Sequence, residues 1–178
     1  MTMTFFKERL LTIKGLIFDV DGVLSMDTSP LDENGDPVRT ANIKDGFAIR
    51  YAIQSGFQIA IITGGNTQGV KLRYQKLGIE HLYMNSFNKT ECLADFCIKS
   101  GLTRDEILYM GDDLVDYEIM KEVCMPTCPL DAVPEIKAVS QYISDKKGGQ
   151  GCVRDVIEQV MRSQQKWFGQ EISGIKAD

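Results

Sequence analysis

The chain has 178 residues, 20 basic and 25 acidic, for a formal charge of −5. Neither sign gathers into a long block, which argues against a nucleic-acid partner. The length suits one domain spanning residues 1–178 that buries roughly 70% of the surface exposed by its unfolded chain. Five cysteines without paired C-x-x-C spacing and a single histidine, His81, exclude a zinc site and a disulfide framework. Lys7, Glu8 and Arg9 interrupt the apolar residues of the N-terminus, so it does not read as a secretory signal, and the chain is expected in the cytoplasm with reduced thiols. The uncharged stretch 51–70 is broken by Gln54, Ser55, Gly56, Gln58 and a Gly/Asn cluster, so no membrane span is expected.

Aliphatic runs alternate with amphipathic ones, the pattern of helices covering a parallel sheet. The first strand is read at 16–20, followed directly by Asp21 and Gly22. An insertion at 25–44 comes next, centred on Asn34-Gly35, a two-residue hairpin signal. Pro30 and Pro37 exclude it from the middle of a sheet. A hairpin packed on another subunit or on the domain's own mouth is expected, the alternative being a long surface loop. A helix follows with Asp45 as N-cap and Phe47, Ile49, Ala52 and Ile53 on its apolar side, stopping at Gly56. A buried strand at 58–62, a helix at 67–77 closed by Gly78 and a short strand at 82–84 come next. Leu93, Phe96 and Cys97 mark another helix, closed by Gly101, before a strand at 107–110. A Gly-rich tail and a C-terminal helix, amphipathic over 153–161, occupy 146–178. The fold class is therefore α/β: a doubly wound, mainly parallel sheet with helices on both faces and a short β-hairpin insertion after the first strand.

Polar residues collect at four strand ends. Asp19 and Asp21 stand at the mouth of a strand buried on both faces, where carboxylates persist when something charged holds them. Residues i and i+2 of an extended segment share a face, so both can point into one small volume while Gly22 lets the backbone turn away. A divalent cation fits that arrangement. Thr63 with Gly64, then Lys89, then Asp112, Asp113 and Asp116 occupy the other strand ends. In an open parallel sheet those ends line one crevice. Asn88 and Glu91 have the spacing of a capping box, which sets Lys89 in a first helical turn, where the helix dipole disfavours a cation unless an anion is near. Each residue has a bland reading of its own, such as an Asx turn or a solvated charge, but together they describe a site for a cation and a phosphoryl group.

The order Asp19-Val20-Asp21, Ile62-Thr63-Gly64, Lys89, Gly111-Asp112-Asp113-Leu114-Val115-Asp116 resembles the haloacid dehalogenase superfamily of phosphohydrolases. With a hairpin in place of a large cap domain and the tail Gly148-Gly149-Gln150-Gly151-Cys152-Val153-Arg154-Asp155, it is similar to the cap-less subclass acting on eight- and nine-carbon 2-keto-3-deoxy sugar acids. The resemblance implies that Asp19 attacks phosphorus and becomes an aspartyl phosphate, while Asp21 protonates the leaving hydroxyl and later deprotonates water. For that, Asp21 would hold its proton near neutral pH more readily than Asp19. It implies Mg2+ held by Asp19, Asp112 and the backbone carbonyl of Asp21, with Asp113 and Asp116 orienting waters and Lys89, or one of them ligating directly. Thr63, Gly64 and Lys89 would hold the phosphoryl oxygens.

For the sugar acid, the resemblance points to Gly65, Arg73, Lys76 and Arg154. Arg73 would pair with the substrate carboxylate or else be a solvated helix charge. The tail would close a neighbouring subunit's crevice in a homotetramer or else act as a flexible linker. Many eight-carbon relatives carry arginine at the position of Gly65 and nine-carbon relatives usually glutamate; this chain matches neither. The expected reaction is hydrolysis of 3-deoxy-D-manno-octulosonate 8-phosphate in lipopolysaccharide precursor synthesis, the alternative being a nine-carbon 9-phosphate. A phosphoaspartate receiver is the rival from another class, but it has no use for Asp21. A sugar-phosphate-binding scaffold without turnover is a further rival, against which Asp19 and Asp21 both argue.

Overall fold

The structure, a computed structural model, describes residues 3–168, with side chains from Phe6 onward. The strands are β1 (Gly15–Phe18), β2 (Gln58–Ile62), β3 (His81–Tyr83), β4 (Ile107–Met110), β5 (Met125–Cys128) and β6 (Tyr142–Ile143). They form one sheet in the order β3-β2-β1-β4-β5-β6, and all five pairings are parallel. The helices are α1 (Met3–Thr12), α2 (Ile43–Gln54), α3 (Gln68–Lys76), α4 (Lys89–Ser100), α5 (Tyr117–Glu122), α6 (Pro134–Val139) and α7 (Cys152–Ser163).

Alternation along the strands sorts the core into two layers. Leu16 and Phe18 of β1 and Ile59 and Ile61 of β2 face a cluster that includes Leu10 of α1, Ile49 of α2, Val70 of α3 and Val156 of α7. Ile17, Ala60 and Tyr109 face the opposite cluster, with Leu93 and Phe96 of α4, Met120 of α5 and Ile136 of α6. Strands buried on both faces read as unbroken aliphatic runs, which is why β2 and β4 were legible in the sequence at their observed bounds.

Several expectations need correction. The N-cap of α2 is Asn42, whose side chain accepts the amides of Lys44 at 2.9 Å and Asp45 at 3.2 Å. Asp45 instead reaches across the chain to accept the amide of Arg154 at 2.8 Å. Phe47 is half exposed, stacked on Tyr51 and Phe168 rather than in the core. The capping box at Asn88 does not form, since Asn88 donates to the Glu91 side chain at 2.7 Å and makes no cap bond to the backbone.

The hairpin is reduced to a single antiparallel bridge, Leu31 to Pro37, around a turn that the Asp32 side chain holds by accepting the amides of Asn34 and Asp36. Pro30 and Pro37 have no N–H to extend it, so the backbone bonds across it are those from Asp32 N to Asp36 O at 2.9 Å and from Val38 N to Pro30 O at 2.8 Å. Its base is stapled instead by hydroxyls: Ser25 Oγ accepts the Thr40 amide at 2.9 Å and Thr40 Oγ1 accepts the Met26 amide at 3.1 Å.

The Gly-rich turn at 148–151 is not a free linker but is fastened to its own chain; residues 169–178 of the tail lie outside the described residues. Gly148 donates to Asp131 at 2.9 Å, Gly149 donates to Val23 O at 2.8 Å, and Asn42 donates to Gly149 O at 3.2 Å. These bonds pin the turn beneath the loop that follows β1 in the same chain. A side chain on Gly148 would run into the Gly22 carbonyl, so this close approach requires glycine.

Candidate active site

The strand order reverses its direction of growth between β1 and β4, and the crevice lies at their C-terminal ends, where ligands bind in such sheets. Register makes the site. Phe18 pairs with Met110 and the Asp19 amide bonds Met110 O at 3.1 Å, so Asp19 and Gly111 leave the sheet side by side, bringing Asp112 to Asp19. Gly22, at φ +76°, turns the first loop away, and its α-carbon lies against the Asp112 carboxylate, where any Cβ would displace it.

Asp19 is buried, and both its oxygens are held: Oδ1 accepts the Val20 amide at 2.6 Å and Oδ2 pairs with Lys89 Nζ at 2.8 Å. Lys89 also pairs with Asp116 at 2.6 Å. Here are the anions that a cation in the first turn of α4 requires. Asp116 is fully engaged. Its Oδ1 accepts Lys89 and the Tyr109 hydroxyl, each at 2.6 Å, and its Oδ2 accepts the Asp112 amide at 3.0 Å and the Asp113 amide at 3.4 Å. Asp113 caps the 3-10 turn Leu114–Asp116, accepting the Leu114 amide at 2.7 Å. The Thr63 hydroxyl, buried at the end of β2, accepts the Gly65 amide at 3.1 Å and keeps its own proton to donate.

One oxygen from each of Asp19, Asp112 and Asp116 lies within 4.8 Å of the others. Three carboxylates face one ammonium, leaving an uncompensated charge that a divalent cation would balance. The titration of the site says the same. Burial, then the charge of Asp116, pushes Asp19 up to about 7 against the pull of Lys89. Burial, then Asp116, Asp19 and Asp113, pushes Asp112 up to about 8. Burial disfavours the Lys89 ammonium, but Asp19 and Asp116 outweigh it and hold its pKa above the ordinary lysine value. An all-oxygen set of this kind fits a hard cation such as Mg2+. Asp116 takes two protein donors on each oxygen and Asp19 only one on each, so Asp19 and Asp112 are the carboxylates with lone pairs that could hold a cation, while Asp116 is bonded to Lys89.

The crevice, about 600 Å³, is lined by Asp19, Asp21, Gly64, Gly65, Lys89, Asp112 and Asp113 of the expected residues. Arg73, Lys76 and Arg154 do not line it. Arg73 lines a neighbouring cavity of about 330 Å³ between the insertion and α3. Lys76 is exposed in the last turn of α3. Arg154 Nε pairs with Glu158 at 2.7 Å, with its guanidinium over the Trp167 ring at 5.4 Å, because α7 is fastened to α2 and turns it away. His81 packs edge-on against Phe96 and touches nothing in the crevice.

Sequence reasoning missed two residues of the site. A tyrosine inside the buried run Ile107–Met110 must find a partner for its hydroxyl, and Tyr109 finds Asp116; that signal was readable. Arg39, in the insertion, forks onto Asp21 with Nε to Oδ1 at 2.8 Å and Nη2 to Oδ2 at 2.9 Å. No local signal marks Arg39, since the contact spans 18 residues through a loop of irregular backbone.

No family model matches the chain. It is 36% identical over 154 residues to 3-deoxy-D-manno-octulosonate 8-phosphate phosphatase KdsC of Salmonella typhi, covering 86% of this chain and 82% of the relative. The crystal structure of 3-deoxy-D-manno-octulosonate 8-phosphate phosphatase from Yersinia pestis superposes with a TM-score of 0.89 at 32% identity, over 93% of this chain and 89% of that one. The enzyme of the same name from Moraxella catarrhalis, solved with magnesium ion, phosphate ion and KDO, superposes with a TM-score of 0.88 at 31% identity, over 93% of this chain and 95% of that one. Fold, crevice and likeness over nearly the whole length agree, and the chain belongs to the 3-deoxy-D-manno-octulosonate 8-phosphate phosphatase family of the haloacid dehalogenase superfamily.

Proposed function

We propose that this chain is a Mg2+-dependent phosphatase that hydrolyses 3-deoxy-D-manno-octulosonate 8-phosphate to the free sugar acid and phosphate through an aspartyl phosphate on Asp19. The observation that carries the reading is the fixed nucleophile: Asp19, oriented by the Val20 amide and Lys89, beside Asp112 and two residues from a second carboxylate. Asp19 attacks phosphorus as the bond to the sugar oxygen breaks, and Asp21, once released from Arg39 and carrying a proton taken up from solvent, gives that oxygen its proton. Asp21 then takes a proton from the water that cleaves the acyl phosphate, so each turnover returns the site to its starting state. Thr63, the Gly64 amide and Lys89 hold the phosphoryl oxygens as charge moves among them. Asp19, Asp112 and the Asp21 carbonyl would hold Mg2+, which supplies positive charge against the phosphoryl oxygens.

On the same reading the enzyme serves lipopolysaccharide precursor synthesis in the cytoplasm. It acts as a homotetramer on a small phosphorylated sugar acid, with no nucleic-acid or membrane partner. Support for assembly comes from exposed apolar side chains on the insertion and the start of α2, namely Leu31, Val38 and Ile43. Among the described residues no helix is long and apolar enough to cross a membrane.

The test is release of inorganic phosphate, with Mg2+, across octulosonate 8-phosphate, nonulosonate 9-phosphates, neutral sugar phosphates and aryl phosphates. The reading expects the octulosonate ester to have the highest kcat/KM and Asp19→Asn to abolish turnover. Equal rates across the panel would contradict it.

A further inference from the structure

We propose that Arg39 is the residue that selects an acidic substrate, its guanidinium exchanging Asp21 for the carboxylate of the sugar acid; this rests on the phosphatase reading above. A phosphorylated sugar acid is anionic at both ends, yet the crevice is lined by six carboxylates, those of Asp19, Asp21, Asp27, Asp36, Asp112 and Asp113. Among the described residues two cations line it, Lys89 and Arg39. Lys89 is committed, buried between Asp19 and Asp116 where the phosphoryl group reacts. Among the described residues that leaves Arg39 as the crevice-wall cation for the far carboxylate.

Arg39 is built for this exchange. Its side chain is 10% exposed, shielded from water that would weaken an ion pair, whereas that of its partner Asp21 is 47% exposed. Asp21 can therefore regain water when the guanidinium leaves it, so one carboxylate replaces another at small cost. The same fork geometry serves both anions, and a lysine would not reproduce it. Nη1 of Arg39 reaches Thr67 Oγ1 at 3.4 Å, an anchor on the loop after β2 that stays in place during the exchange.

Gly65 supplies the space. A Cβ there would stand 2.6 Å from Arg39 Nη2 and 2.8 Å from its Cζ, so the bare backbone of Gly65 is what admits the guanidinium to the wall. Departure of Arg39 also frees both Asp21 oxygens, which the resting structure occupies with N–H donors, to face the leaving group.

The experiment compares kcat/KM for the sugar-acid phosphate with that for the same ester bearing a carboxamide in place of its carboxylate. Wild-type enzyme should prefer the acid. Arg39→Gln should collapse that preference by about 10- to 100-fold, the range for a lost charge-assisted pair, and Arg39→Lys should restore part of it. Gly65→Ala, in which a flexible side chain can move aside without harm to the fold, should shift the preference in the same direction by a smaller factor. A wild-type enzyme that hydrolyses neither ester would overturn the phosphatase reading and this inference with it. A wild-type preference that survives intact in Arg39→Gln would overturn this inference alone and leave Arg39 a prop for Asp21.

Discussion

Placing a methyl group on Gly148 tests whether the glycine turn before α7 sets the position of the catalytic loop. A Cβ at 148 would lie 2.5 Å from the carbonyl carbon of Gly22 and 3.2 Å from its α-carbon. Carbon atoms rest at about 3.5–4.0 Å, so the two backbones must separate by roughly 1 Å. The turn cannot yield freely, being tied to Asp131 and Val23 by bonds of 2.9 and 2.8 Å and followed by the buried Cys152 and Val153. The loop bearing Asp19, Asp21 and Gly22 takes up the displacement, and Asp112, which lies against Gly22, is disturbed with it. Overpacking of this kind costs about 1–3 kcal/mol, which for a chain of this size lowers Tm by roughly 2–12 °C. A catalytic group displaced by 1 Å loses about 100-fold in rate. Phosphate release by Gly148→Ala should therefore fall about 100-fold in kcat/KM while the protein stays folded. Gly69→Ala, whose Cβ meets nothing within 4 Å, is the control and should match wild type or gain slightly in Tm. A Gly148→Ala enzyme within about threefold of wild type would refute the reasoning.

Three further outcomes follow from the same geometry. Asp19 and Asp112 are raised to about 7 and about 8, so the metal-free folded state keeps protons that the unfolded chain has released. Its stability should fall as pH rises from 5 to 8, by up to about 1.4 kcal/mol per proton and pH unit. Saturating Mg2+ should raise Tm more at pH 8 than at pH 5.5, and equal shifts at the two pH values would contradict the account. Asp116→Asn removes a counter-ion from buried Lys89 and should cost about 3–5 kcal/mol in urea unfolding, with kcat reduced more than KM is raised; a loss below about 1 kcal/mol would count against the role assigned to Asp116. Burial pushes Asp45 up to about 6 against the Arg154 amide bond, and its Oδ2 has no hydrogen-bond partner among the described residues. Above about pH 6 the folded state carries this carboxylate buried and ionised, and the stability of Asp45→Asn relative to wild type should rise by about 1.4 kcal/mol between pH 5 and pH 8. A pH-independent difference would dismiss that explanation.

How far the sequence carried depends on whether each signal is local. The strands at 58–62 and 107–110 and the helix stop at Gly101 were readable because burial on both faces writes an aliphatic run and a left-handed C-cap, here φ +72°, writes a glycine. The meeting of Asp19 with Asp112 was readable too, since parallel strands deliver their C-terminal ends to one edge. What escaped was set by distant partners. Asp45 has the composition of an N-cap, but tertiary packing gave it to the start of α7 and left the cap to Asn42. Strands β5 and β6 went unread: the first contains Pro126, which argues against an inner strand, and the second is two residues long. Helix α1 has no acidic residue in its first turn and no start signal to mark it. Arg73 and Arg154 lie on helices whose rotation is fixed by packing, a quantity a motif does not contain.

The central claim is that Asp19 and Asp112 share one cation, so that Asp19 is poised as nucleophile beside it. Anomalous diffraction from crystals grown with Mn2+ in place of Mg2+ measures this directly. The account predicts a single strong peak within bonding distance of a carboxylate oxygen of Asp19 and one of Asp112, absent in Asp112→Asn. A peak bound elsewhere in the crevice, or one that persists unchanged in that variant, would contradict it.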